Sequence, residues 1–125
     1  VGLVAALALT ACAGESKPPG GGAGDSAKFV AIDGFAFEPA TLSVKAGAKV
    51  TWQQKDNTVH TVTSGEAGDI DPLLNRVEMS RPDGKFNSGD VQQGGTFSFT
   101  FSEPGTFKYY CSNHPEGMRA EIIVR

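Results

Sequence analysis

The feature that most constrains this chain is a period-two alternation of apolar and polar residues. It begins at Phe29 and runs to Val124, interrupted at short intervals by Gly and Pro clusters. Successive side chains on a strand point to opposite faces, so this period marks strands with one buried face, and short strands punctuated by turns mark an antiparallel sandwich or barrel. Phe97-Ser98-Phe99-Thr100-Phe101 alternates without a fault. By the same counting, Val30 and Ile32, Leu42 and Val44, Val50 and Trp52, His60 and Val62, and Ala120, Ile122 and Val124 each share the inner face of a strand. In Phe107-Lys108-Tyr109-Tyr110-Cys111 the inward positions are Phe107, Tyr109 and Cys111, which leaves Lys108 and Tyr110 outside. Chain reversals fall at Lys45-Ala46-Gly47-Ala48 and Glu103-Pro104-Gly105. The expected fold is all-β, with seven or eight strands.

Sixteen glycines and eight phenylalanines among 125 residues favour strands over long helices. That length holds one domain, placed at residues 28–125. The net charge of −3 comes without a basic run or patch, so the sequence offers no electrostatic footprint for nucleic acid. Between Ser64 and Asn87 the alternation stops. Asp71-Pro72 ahead of Leu73, Leu74 and Val77 predicts a short capped helix or a turn, and Pro82-Asp83-Gly84 predicts another turn. Glu66, Asp69 and Asp71 form an acidic group that lacks the ligand spacing of a calcium loop.

Residues 1–11 (VGLVAALALTA) are an uncharged apolar run, too short to span a bilayer but suited to the core of a secretory signal whose start lies upstream. Leu9-Thr10-Ala11-Cys12 resembles the bacterial lipoprotein signal, in which the Cys becomes the first mature residue and is acylated. Cys12 is therefore expected to anchor the protein to a membrane outside the cytoplasm, in the periplasm or at the cell surface. Residues 14–27 (GESKPPGGGAGDSA) are too poor in apolar side chains to form a core. With the lipidated Cys12, residues 12–27 read as a flexible tether with a mean reach on the order of 20 Å.

The two cysteines, Cys12 and Cys111, sit in such different surroundings that they are not read as a disulfide pair. Cys111-Ser112-Asn113-His114-Pro115-Glu116-Gly117-Met118 places a thiolate, an imidazole and a thioether in one loop after a strand. The only other histidine, His60, faces inward on an earlier strand that a sandwich can bring against that loop. Two imidazoles, one thiolate and a weak thioether are the donor set of a blue-copper electron-transfer site. Each residue alone has a plainer reading: a core cysteine, a half-buried histidine bonded to backbone, a core-filling methionine. Their joint occurrence points to one copper ion. A cysteine hydrolase using Cys111 with a histidine base lacks an orienting residue and a cleft, and a purely structural or adhesive sandwich leaves all three as spectators.

The order of motifs resembles the cupredoxins, specifically the plastocyanin and amicyanin-like group, from about Phe29 to Val124. The resemblance is carried by Phe37-Glu38-Pro39-Ala40-Thr41-Leu42-Ser43-Val44, the Gly47 turn, Trp52, the segment from Asn57 to Gly65 that holds His60, Phe86-Asn87-Ser88-Gly89, and Gly105 to Cys111. It implies a Greek-key β-sandwich with copper near one end. His60 and His114 would coordinate through Nδ1, Cys111 through its thiolate, and Met118 as a long axial ligand. It also implies a monomer, not an enzyme, that passes single electrons to transient redox partners, with copper delivery as the alternative. Backbone N–H groups near Thr61 and Asn113 are expected to donate to the Cys111 sulfur, and Pro115 to restrict His114. The expected electron route is the solvent edge of His114, ringed by Pro115, Ala36 and Phe35, through a small interface. Two features depart from the group: the three residues between His114 and Met118 fall between its shorter and longer forms, and the stretch from Glu66 to Lys85 is long and has no assigned role.

Overall fold

Eleven strands form over residues 27–125, the part of the chain that the computed structural model describes. The expected signal segment, Cys12 and the linker as far as residue 26 lie outside the described residues. A four-stranded sheet runs in the order β2 (Phe37–Glu38), β1 (Ala27–Ile32), β4 (Ala48–Gln54), β9 (Thr96–Phe101). A five-stranded sheet runs β3 (Thr41–Val44), β11 (Arg119–Val124), β10 (Gly105–Tyr110), β5 (Thr63–Glu66), β8 (Arg81–Asn87). A separate hairpin pairs β6 (Asp69–Asp71) with β7 (Arg76–Glu78). The sequence-based count was lower because it did not include the two-residue β2 or the hairpin and β8, which all arise where no alternation is visible. The pairing is also mixed rather than purely antiparallel. The chain leaves the first sheet after β2, supplies β3 to the second and returns as β4, which makes β1–β4 and β3–β11 parallel.

The two sheets bury one core, in which Val30, Ile32, Val50 and Trp52 meet Phe86, Tyr109, Ile122 and Val124. Trp52 is its centre, with ring centroids 5.4 Å from Tyr109, 5.6 Å from Phe97 and 5.9 Å from Phe86. Burying such a ring removes roughly 200 Å² from water, worth about 5 kcal/mol before the entropy of ordering it. Burial also pushes the Tyr109 phenol well above its ordinary range, with the neighbouring Trp52 indole opposing that only in part.

Several local expectations change. The stretch around His60 and Val62 is not a strand: His60 forms an isolated bridge with Val91 (N–H to O, 3.2 and 2.8 Å), and β5 begins only at Thr63. Residues 60–65 are continuously buried instead of alternating, because their second side is covered too. Ser88 there bonds both ways with the Val62 backbone, at 2.7 and 2.9 Å. Tyr110, expected outside, is 2% exposed. Segment 64–87 folds over it: desolvation raises its phenol pKa, aided by the negative charge of Asp83 and opposed by a hydrogen bond with Ser80.

Within that segment, Asp71 caps the N–H groups of Leu73 (2.9 Å) and Leu74 (3.2 Å), but left-handed Asn75 (φ 48°) turns the chain into β7, giving a hairpin tip and no helix. Pro82-Asp83-Gly84, read as a turn, lies inside β8; Pro is tolerated there because β8 is an edge strand. Opposite it, Gly65 sits at a register shift with φ 132°, where a side chain would run into the Arg81 carbonyl oxygen.

Asp83 fastens this excursion. Its carboxylate accepts the Ser64 hydroxyl and the Lys85 N–H (2.9 Å), while Ser64 Oγ accepts the Phe86 N–H at 2.8 Å. Desolvation pushes the Asp83 pKa up, but the hydrogen bonds and the Lys85 charge outweigh it and hold the group below its ordinary value. A depressed folded-state pKa stabilises above the unfolded value and ceases to do so as pH falls through the folded one. Replacing Asp83 with Asn is expected to cost about 1 kcal/mol at neutral pH, allowing for its exposure. In urea titrations that difference should shrink as pH falls below about 4, the unfolded carboxylate value.

Candidate metal centre

Strand direction aims the first donor. Cys111 directly follows β10, and Tyr109, two residues earlier, faces the core, so the thiol points inward and is 0% exposed. His60 is held from the neighbouring stretch by its bridge to Val91 and is also 0% exposed. The loop from Cys111 to Met118 closes on itself: His114 N–H donates to the Cys111 carbonyl (3.1 Å), Met118 N–H to the His114 carbonyl (3.1 Å), and Cys111 N–H to the Met118 carbonyl (3.0 Å). These bonds bring His114 back over the sulfur and turn Met118, 1% exposed, into the core cluster that also contains Cys111. His114 stays half-buried.

Cys111 Sγ lies 3.7 Å from His60 Nδ1 and 3.5 Å from His114 Nδ1, and the three donor atoms are within 4.8 Å of one another. An ion bonded to such donors at about 2.0–2.3 Å, as zinc is, separates them by about 3.5–4 Å. Three convergent donors of this chemistry, with no disulfide partner for the thiol among the described residues, fit a thiophilic first-row metal.

The sulfur accepts the Thr61 backbone N–H at 3.3 Å. The second expected donor, a backbone N–H near Asn113, is not among its bonds: the neighbouring His114 N–H goes to the Cys111 carbonyl, and the Asn113 side chain donates to the Val59 carbonyl (3.4 Å). Thr61 contributes more than its backbone. Its hydroxyl accepts the Ser112 N–H at 2.8 Å and lies 3.0 Å from the hydroxyls of Thr63 and Ser112. It thereby ties the His60 stretch to the ligand loop. Phe35 stands edge-on to both imidazoles, 5.2 Å from His60 and 5.0 Å from His114.

Sequence reasoning missed two further residues. Asp56 accepts a hydrogen bond from His60 Nε2 at 2.8 Å. Arg119 donates from Nε to the Pro115 carbonyl (2.8 Å) and from Nη2 to the Gly68 carbonyl (2.6 Å), with Nη1 3.4 Å from Asp69. The Ile70 N–H, joined by the Arg119 guanidinium, holds the Asp69 carboxyl below its ordinary pKa. The long excursion thus gains a role, since Arg119 straps the base of its hairpin to the ligand loop. Neither residue breaks a periodic pattern, so the only sequence signals were an acid four residues before a histidine and an arginine after a loop, and both are commonplace.

A two-sheet β-sandwich that converges a buried thiolate, two imidazoles and a buried thioether-bearing loop at one end defines a cupredoxin-type copper protein. Residues 25–125 match the plastocyanin/azurin family of copper-binding proteins, and the chain belongs to that family. It is 33% identical over 92 residues to plastocyanin of Solanum crispum, covering 73% of this chain and 89% of the relative. To amicyanin of Paracoccus denitrificans it is 30% identical, covering 80% and 66%. Among solved structures, a purple cupredoxin from Nitrosopumilus maritimus superposes with a TM-score of 0.61 at 26% identity, covering 78% of this chain and 99% of that one. An oxidised amicyanin variant superposes with a TM-score of 0.61 at 29% identity, covering 81% and 84%.

Because Arg119 forks across two carbonyls on different segments, a lysine cannot replace it. Arg119→Ala is expected to speed hydrogen exchange at the Gly117 and Met118 amides by about tenfold, the equivalent of one or two lost hydrogen bonds. Arg119→Lys should recover little of that protection.

Proposed function

We propose that this protein is a one-electron carrier working outside the cytoplasm, with His60, Cys111 and His114 as strong copper ligands and Met118 as the weak axial donor. The observation that carries the reading is the burial pattern. Cys111 and His60 are sealed at 0% exposure while His114 alone of the three reaches the surface. Copper bound there supplies a Cu(I)/Cu(II) couple. The chain's part is to hold donors of fixed geometry in a water-poor pocket. Thr61 locks two of the ligand-bearing segments together, and the Thr61 N–H withdraws charge from the sulfur.

The His114 edge is the exit route. Phe35, half-exposed, flanks it, and Pro115 borders a groove shared with Ile70, Val77 and Met79 of the hairpin. A small rim of this kind, in which these apolar side chains alternate with the carboxylates of Asp69, Glu78 and Glu116, suits brief contact with another redox protein, since such encounters use small interfaces that release quickly. Copper delivery, the competing role, calls for ligands that open readily, and two ligands at zero exposure oppose it. An electron carrier needs no substrate cleft, so we assign no enzymatic activity. We further propose that Cys12 is acylated and tethers a monomeric domain to the outer side of a membrane, a reading that rests on the Leu9-Thr10-Ala11-Cys12 motif and the Gly- and Pro-rich segment after it.

The route is tested by electron self-exchange, followed by NMR line broadening in mixtures of oxidised and reduced protein. His114→Gly removes the ligand that carries this edge and should slow exchange by roughly tenfold or more, at least the cost of losing an outer partner of a ligand. Exchange at the wild-type rate would eliminate this edge as the route.

A further inference from the structure

Asp33-Gly34-Phe35-Ala36 reverses the chain between β1 and β2, with Ala36 N–H on the Asp33 carbonyl (3.2 Å) and Asp33 N–H on the Ala36 carbonyl (3.0 Å). Gly34 (φ 65°) and Phe35 (φ 58°) are both left-handed, the pattern of a type I′ turn. Glycine adopts that region freely, but a residue with a Cβ pays about 1–2 kcal/mol there. Phe35 is nonetheless held there, because the two successive N–H groups of the turn converge on one carboxylate. Gly34 N–H donates to Asp56 Oδ1 at 2.7 Å and Phe35 N–H to Asp56 Oδ2 at 2.8 Å.

The same carboxylate has a third partner. His60 Nε2 lies 2.8 Å from Asp56 Oδ2. Because His60 Nδ1 is the nitrogen that faces the Cys111 sulfur, a ligating lone pair must sit on Nδ1 and the ring proton on Nε2, where Asp56 accepts it. Asp56 is itself held: the Gln54 side chain, 2% exposed, accepts the Asp56 N–H at 2.6 Å and donates to the carbonyls of Thr58 and Val91. The turn that Asp56 anchors sets the Phe35 ring edge-on to both imidazoles, at an interplanar angle of 88° to each.

We propose that Asp56 is a positioning residue for the copper site, a single carboxylate that fixes the tautomer and orientation of His60 and holds Phe35 edge-on against both histidines. The inference rests on the copper-site reading above, and it adds a residue outside the ligand set that tunes the site. Only a carboxylate fills the role. It accepts on both oxygens, whereas an asparagine of the same shape offers one oxygen and turns an NH₂ toward an N–H donor. Its negative charge also favours the more positive, oxidised state of the centre.

The first test needs no copper. In metal-free protein in mildly alkaline buffer, ring ¹⁵N shifts should show His60 as the Nε2–H tautomer, and Asp56→Ala should give a mixture. The second uses copper-loaded protein. Asp56→Asn should lower Cu(II) affinity by about 10–100-fold, the usual cost of losing a partner behind a ligand. If Cu(I) affinity changes less, the reduction potential rises by about 59 mV for each tenfold of that difference. Phe35→Gly, which suits the left-handed backbone, should keep the His60 tautomer while exposing both rings. A wild-type Nδ1–H tautomer overturns the proposal whether or not any variant folds. So does a variant set in which melting temperature falls but tautomer, affinity and potential stay at wild-type values, since Asp56 would then only brace a turn. A wild-type protein that forms no copper–thiolate site would instead sink the copper reading, leaving the tautomer result to stand by itself.

Discussion

The register between β10 and β5 is the constraint on which the rest of the site depends. Tyr109 pairs with Ser64 and Tyr110 with Thr63. That alignment carries Cys111, one residue beyond the strand, alongside Thr61 and the His60 stretch, so that the sulfur can take the Thr61 N–H. A slip of one residue would turn Cys111 to the opposite face and part it from both histidines. The register is protected from both sides. Tyr109 is locked inside the aromatic cluster around Trp52, and Tyr110 is covered on the outer face by the excursion that Asp83 fastens.

Around that alignment, the polar groups form a continuous frame. Thr61 joins the His60 stretch to Ser112, the bonds among Cys111, His114 and Met118 close the ligand loop, and Arg119 ties that loop to the hairpin base. On the far side Gln54 and Asp56 join β4 to the turn that carries Phe35. His60 and Cys111 are thus each fixed by segments distant in sequence, and His114 and Met118 by the bonds that close their loop. Such over-determination suits a centre whose geometry should change little between two charge states, and it leaves His114 as the one donor with a path to solvent.

Much of this was legible because it repeats. Alternation revealed the sandwich and the inward face of Phe107, Tyr109 and Cys111, while the donor set, not the alternation around His60, pointed to its convergence with the Cys111 loop. What escaped notice does not repeat. The buried Tyr110 and the continuous burial of residues 60–65 result from a second layer, formed by an excursion whose strands are short, exposed and partly built on Pro82 and Gly84. The hairpin tip carries the same Asp71 cap that would begin a helix, and the left-handed Asn75 decides between the two. The parallel strand pairs follow from a crossing between sheets that no local pattern encodes. Asp56 and Arg119 act on backbone groups far away in sequence, so their roles exist only once the fold has brought those groups near.

The central claim is that Cys111 is a copper ligand within a closed site. Its most direct test is the visible spectrum of the protein titrated with Cu(II), alongside a Cys111→Ala control. The account predicts an intense thiolate-to-copper band that saturates at one equivalent and is absent from the control. A colourless complex, or a band of equal strength in the Cys111→Ala protein, would contradict it.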